Sequence, residues 1–227
     1  MKEMTLGRGL YAITDSDLIP RSRLESAMRQ VLEGGAQTIQ YREKKASGSR
    51  QLEEALLIRG LCREYDATFI VNDDVDLALK SKADGIHIGH ADGCCRDIRN
   101  RVGGDFLIGV SCYNSLERGL IAQTETADYV AFGSAYPSVT KPDAVHAPMS
   151  LYHDAVATLE IPIVAIGGIN SSNAGILIKA GCTAVAVISG LFDAPDIELE
   201  ALAFGRLFGQ DARQASNISK TAIEDTL

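Results

Sequence analysis

The sequence predicts a single closed (β/α)8 TIM barrel, and three observations carry that prediction. One unit repeats along the chain: a short apolar run, a polar turn, then a stretch with apolar residues at helical spacing. Eight such units fit within 227 residues, a length at which α/β barrels run as one domain. Polar and charged residues also gather just after the apolar runs, where the βα loops of such a barrel carry chemistry. An open doubly wound sheet is the alternative architecture.

The runs that read as strands are GLYAIT (9–14), TIQYRE (38–43), TFIVND (68–73), GIHIG (85–89), FLIGVSC (106–112), YVAFGSA (129–135), IPIVAIG (161–167) and AVAVISG (184–190). They are short, and most are rich in β-branched or aromatic residues, as buried parallel strands are. Between the first two, residues 21–34 place Leu24, Ala27, Met28, Val31 and Leu32 on one helical face and stop at Gly34-Gly35. Residues 50–64 repeat the pattern with Leu52, Leu56, Leu57 and Leu61. Helices are also expected over 115–124, 150–159, 170–180 and 196–208, with shorter ones over 74–82 and 94–102. No break in composition divides the chain, so the barrel is expected to span residues 1–208. The polar tail, 209–227, is expected to be flexible.

Composition is that of an ordinary globular protein, 46% hydrophobic and 23% charged. Lys and Arg number 22 against 30 Asp and Glu, a formal net charge of −8. This acidic balance argues against nucleic-acid and anionic-membrane partners, while leaving room for a local basic pocket that takes a small phosphate. The five cysteines (Cys62, Cys94, Cys95, Cys112 and Cys182) lack C-x-x-C spacing, which predicts reduced thiols and argues against zinc. The N-terminal stretch lacks the apolar run of a signal peptide, and no segment approaches the ~20 apolar residues of a membrane span. A soluble, cytoplasmic protein with small-molecule partners is expected; a homo-oligomer is left open.

The second run ends in TIQYREKK (38–45). Alternation puts Gln40, Arg42 and Lys44 on one face and Tyr41 and Glu43 on the other. Two cations at a barrel mouth are costly unless an anion meets them, and a guanidinium fork with an ammonium suits phosphate oxygens. A solvated loop, or a salt bridge to Glu43, is the plainer reading. The third run ends in Asn72-Asp73-Asp74, where a helix cap is the plainer reading. Asp92 follows the fourth run, and the pair Asp73 and Asp92 would suit Mg2+, which takes one or two carboxylates plus substrate oxygens. His87 alternates with Ile86 and Ile88, which suits a barrel-core residue. Ser111 follows the fifth run without a hydrolase triad or a nucleophile elbow around it. The loop 136–149, with Ser138, Thr140, Lys141 and three prolines, reads as a second anion-binding element and a lid. Gly167-Gly168 and Ser189-Gly190 sit where the loops after strands seven and eight often bind phosphate. Two anion sites beside a metal in one pocket point to group transfer with diphosphate as the leaving group.

At these residues the chain resembles the thiamine-phosphate synthase family, through LYAITD, GGAQTIQYREK, VNDDVDLAL, ADGIHIGHAD, IGVS, ADYVAFG, PSVTK, AIGGIN and AVISG. The resemblance covers about residues 9–208. It implies joining a hydroxymethylpyrimidine diphosphate to a hydroxyethylthiazole phosphate. Carried onto this sequence, it implies that Gln40, Arg42 and Lys44 hold the pyrimidine diphosphate, with Tyr41, Glu43 and Asn72 beside them. Asp73 and Asp92 would bind Mg2+, and Ser111 and Lys141 would contact the leaving diphosphate. Ser138, Val139, Thr140, Gly168, Ile188 and Ser189 would take the thiazole phosphate. The chain departs from the family pattern in having Ser138 where Thr is common, and GHAD where Gly-Gln-Glu-Asp is common. Related thiazole tautomerases carry a catalytic His after the fifth strand; Ser111-Cys112-Tyr113 stands there, which favours the synthase. A Schiff-base aldolase and an inactive phosphate-ligand sensor are the other rival readings.

Overall fold

The computed structural model describes residues 5–46, 48–89, 93–137 and 145–209. Eight parallel strands close into a barrel in the order β1 to β8: Gly9–Ile13, Thr38–Tyr41, Thr68–Asn72, Gly85–Ile88, Leu107–Tyr113, Tyr129–Phe132, Ile163–Ile166 and Ala184–Val187. β1 closes the ring on β8, with Gly9 opposite Ala184 and Tyr11 opposite Ala186. Helices α1 (Arg21–Glu33), α2 (Gly48–Glu64), α3 (Val75–Ser81), α4 (Cys95–Val102), α5 (Leu116–Thr124), α6 (Met149–Thr158) and α7 (Ala174–Lys179) follow the first seven strands in turn. A short α8 (Ser189–Phe192) and then α9 (Ile197–Leu207) follow the last strand. The barrel is therefore closed, and the open-sheet alternative is set aside.

Alternation along each strand divides the apolar residues between two cores. Leu10, Ala12 and Ile39 face outward and pack with Leu24, Met28, Val31 and Leu32 of α1. Each of those large side chains contributes roughly 1.5–3 kcal/mol by leaving water. Tyr11, Ile13, Ile70, Leu107, Tyr129 and Val164 face inward and fill the barrel. Tyr129 fits there only because the neighbouring strand gives up a side chain: a Cβ on Gly109 would stand 1.9 Å from the Tyr129 ring. At the N-terminal rim, Asp84 and Asp128 accept the Phe69 and Ile108 amides, 2.8 and 2.6 Å away. They tie neighbouring strands together at the face remote from the loops.

Most expected elements lie within two residues of their places; the strands expected over 129–135 and 184–190 end three residues early, at Phe132 and Val187. α7 starts at Ala174 rather than 170 because Asn170 Oδ1 accepts from the Ser172 and Asn173 amides, a side-chain turn that competes with the helix. Residues 189–190, read as the opening of a loop, form the first turn of α8. All but the first residue of the predicted tail, 210–227, lies outside the described residues.

Candidate active site

The mouth of the barrel is built from the C-terminal ends of the strands. On one side, Thr14 at the end of β1 brackets Arg42 after β2: its Oγ1 accepts from the Arg42 amide at 2.8 Å and donates to the Arg42 carbonyl at 3.2 Å. Asp15 Oδ2 stands 3.5 Å from Arg42 Nη1, both side chains being mostly buried. The carboxylate offsets the cost of holding a guanidinium away from bulk water. Glu43, the partner of the plainer reading, instead accepts the Lys45 amide at 2.5 Å, the Ala46 amide at 3.2 Å and the Ser16 hydroxyl at 3.3 Å, and so shapes the turn. Lys44 is exposed, and Lys45 pairs with Asp17. Tyr41 faces the helix layer, where its hydroxyl donates to Glu54 at 2.8 Å. Burial and that carboxylate push its phenol well up, and its side chain packs into the outer core.

Below the mouth, polar side chains cross the barrel. Gln40 Nε2 lies 2.7 Å from Tyr11 Oη, which lies 2.8 Å from Tyr129 Oη. Tyr129 Oη is 3.1 Å from His87 Nδ1, and His87 Nε2 is 2.9 Å from Ser111 Oγ. Gln40 and Ser111, singled out separately in the sequence, are thus the two ends of one connected set. Both Tyr11 and Tyr129 were missed as polar partners. The signal was present in LYAITD and ADYVAFG, where a Tyr sits at an inward strand position with an oxygen that needs a partner. Thr14 and Asp15 were missed as well, although LYAITD contains both.

At the end of β3, Asp74 takes the capping role: its Oδ1 accepts the Leu77 amide at 2.9 Å. Asn72 and Asp73 remain half-buried at the mouth. Asp73 holds a left-handed backbone (φ 62°), and its amide donates to the His87 carbonyl at 2.9 Å, joining β3 to β4. Asp92 lies outside the described residues, so only one member of the expected metal pair can be placed.

Separated from Arg42 by β1, a concavity of about 280 Å³, its open rim included, is lined by the ends of β7 and β8. Gly168, Ile188 and Ser189, predicted together from sequence, meet there with Gly167 and Gly190. The glycines are required by close approach. A Cβ on Gly168 would stand 2.3 Å from the Pro137 carbonyl, and one on Gly190 would stand 2.2 Å from the Ile169 carbonyl. The amides of Ser189 and Gly190 lie in the first turn of α8 and so have no acceptor within their helix. Ser138, Val139, Thr140 and Lys141 lie outside the described residues.

Fold and mouth define the class: a (β/α)8 barrel with its polar side chains gathered at the C-terminal face. The profile of the family described as thiamine monophosphate synthase matches residues 10–191. A thiamine-phosphate synthase of Nitrosococcus oceani is 45% identical over 88% of this chain and 93% of its own length. One of Nitrosomonas eutropha is 48% identical over 88% and 94%. Among solved structures, a thiamine phosphate pyrophosphorylase from Pyrococcus furiosus superposes with a TM-score of 0.82 at 37% identity, covering 88% of this chain and 95% of that one. The chain belongs to the thiamine monophosphate synthase family, transferases of thiamine biosynthesis.

Proposed function

We propose that the chain joins 4-amino-2-methyl-5-(diphosphooxymethyl)pyrimidine to 4-methyl-5-(2-phosphooxyethyl)thiazole, releasing thiamine phosphate and diphosphate. The observation that carries this reading is the presence at one mouth of two separate sites, Arg42 after β2 and the cavity of Gly168 and Ser189 at the ends of β7 and β8, with β1 between them. The Gln40–Ser111 set lies beneath both. Two phosphorylated molecules held side by side need two such sites.

The reaction runs by dissociative substitution. The bond from the pyrimidine methylene to the diphosphate oxygen breaks, and its electron pair leaves with diphosphate. The aminopyrimidine stabilises the methylene cation, and the thiazole nitrogen supplies the pair for the new C–N bond. The chain therefore need supply no nucleophile. Its work is to meet the charge that grows on the leaving oxygens and to hold the second ring close. Arg42, Lys44, Ser111 and Lys141 donate to the diphosphate. Gln40 gives its N–H to Tyr11, which leaves its Oε1 as an acceptor for the amino group of the ring. Gly168, Ile188, Ser189 and the residues 138–140 receive the thiazole phosphate, with the amides in the first turn of α8 as donors.

Mg2+ is the expected cofactor. Asp73 is a hard oxygen donor held half-buried at the end of β3, chemistry that suits this ion, and Asp92 is its expected companion. When bound there, Mg2+ would supply positive charge to the diphosphate oxygens. Tyr113, the third residue of the fifth-strand motif, is exposed, with the Arg118 guanidinium 5.2 Å from its ring centre. No imidazole stands at positions 111–113, which disfavours tautomerase chemistry. The test is to mix both phosphorylated heterocycles with the protein and Mg2+ and assay thiamine phosphate by chromatography. Folded protein that forms no product would overturn the reading.

A further inference from the structure

The contacts across the barrel have a direction. An amide nitrogen only donates, so Tyr11 accepts from Gln40, and the Tyr11 proton goes to the other oxygen it touches, that of Tyr129. Tyr129, already accepting, gives its own proton to His87 Nδ1. A neutral imidazole with a bare Nδ1 carries its proton on Nε2, and that N–H faces Ser111 Oγ. Ser111 accepts there, so its own proton must point away from His87. Each proton between Gln40 and Ser111 then has an acceptor, and the Ser111 hydroxyl is left to donate elsewhere. Both phenols are fully buried, which pushes their ionisation well up and keeps them neutral donors. Had Gln40 turned its carbonyl oxygen to Tyr11, every bond would reverse and Ser111 would give its proton to His87.

We propose that His87 is a positioning residue: as the last link of a one-way relay from Gln40 through Tyr11 and Tyr129, it turns the Ser111 hydroxyl proton out of the barrel. There the proton donates to an oxygen of the bound diphosphate, an assignment that rests on the function proposed above. The relay joins the residue that meets the pyrimidine ring to the residue that meets its leaving group. A hydroxyl held in one orientation before the substrate arrives needs no reorganisation as charge develops.

Two measurements test the proposal. Nitrogen NMR of protein labelled in its histidines, with His87→Gln to assign the signal, should show a bare Nδ1 and a protonated Nε2. A proton on Nδ1, alone or together with one on Nε2, would overturn the relay. The second measurement is a kinetic cycle of His87→Leu, Ser111→Ala and the double variant. His87→Leu should lower kcat by up to about 100-fold, with KM for the pyrimidine diphosphate moving far less. The double variant should be no slower than Ser111→Ala, because His87 acts only through Ser111. Losses that multiply would overturn the proposal. Tyr129→Phe replaces His87→Leu in the cycle if the leucine variant does not fold. Were the unaltered protein to form no thiamine phosphate, the proposed function would fail, while the spectrum would still decide the relay.

Discussion

Gly168→Ala puts the cavity wall proposed to receive the thiazole phosphate under direct strain. Gly168 sits at φ 62°, in the left-handed region, which costs a residue with a Cβ about 1–2 kcal/mol. The added Cβ would stand 2.3 Å from the Pro137 carbonyl and 2.8 Å from Tyr136 Cβ, closer than the 3.0 Å that real Cβ contacts respect. The carbonyl is backbone and cannot rotate aside, so overpacking adds about 1–3 kcal/mol. The total, about 2–5 kcal/mol, corresponds to a fall in Tm of roughly 4–20 °C for a domain of this size. Alternatively the segment at Tyr136–Pro137 withdraws and relieves the strain. The cavity wall then moves, and KM for the thiazole phosphate should rise. Calorimetry and steady-state kinetics with that substrate varied read the two outcomes separately. A variant with the parent Tm and the parent KM would refute the reasoning, because the strain would then have gone nowhere.

Three other outcomes are expected. Arg42→Ala should lower turnover by about 100- to 1,000-fold with an unchanged far-UV circular dichroism spectrum; near-normal turnover at saturating Mg2+ would remove Arg42 from the diphosphate site. Asp73→Asn keeps the size of the side chain and its tolerance of a left-handed backbone while removing its charge. It should raise the Mg2+ concentration needed for half-maximal activity roughly tenfold or more, and an unchanged Mg2+ titration would exclude Asp73 as a ligand. Of the five thiols, only Cys94 is exposed, and burial pushes those of Cys95, Cys112 and Cys182 up to about 12. A disulfide reagent at neutral pH should therefore titrate one thiol rapidly in the native chain and all five after denaturation. A second fast thiol would contradict the packing around the buried ones.

The strand-and-helix alternation was legible in the sequence because its causes are local. Gln40 faces inward and Tyr41 outward, as period-2 alternation requires, and the apolar face of α1 follows from the spacing of Leu24, Met28, Val31 and Leu32. The same reasoning loses its warrant one residue later. β2 ends at Tyr41, so alternation no longer governs where Lys44 points, and Lys44 is exposed. The ion partner of Arg42 was not legible either: Glu43 is its neighbour in the chain, but Asp15 is its neighbour in space because β1 and β2 pair.

The sequence by itself determined the eight strands and the main helix after each, the positions of the mouth residues in the chain, and the glycines at β7 and β8. Each of these is set by side-chain period, or by a backbone that must approach another closely. Only the tertiary structure decided which of these residues meet. Gln40 is joined to Ser111 through Tyr11, Tyr129 and His87, residues drawn from different strands of the ring. A hydrogen bond is made across a few ångströms of space, and the closure of the barrel, rather than separation along the chain, sets that distance.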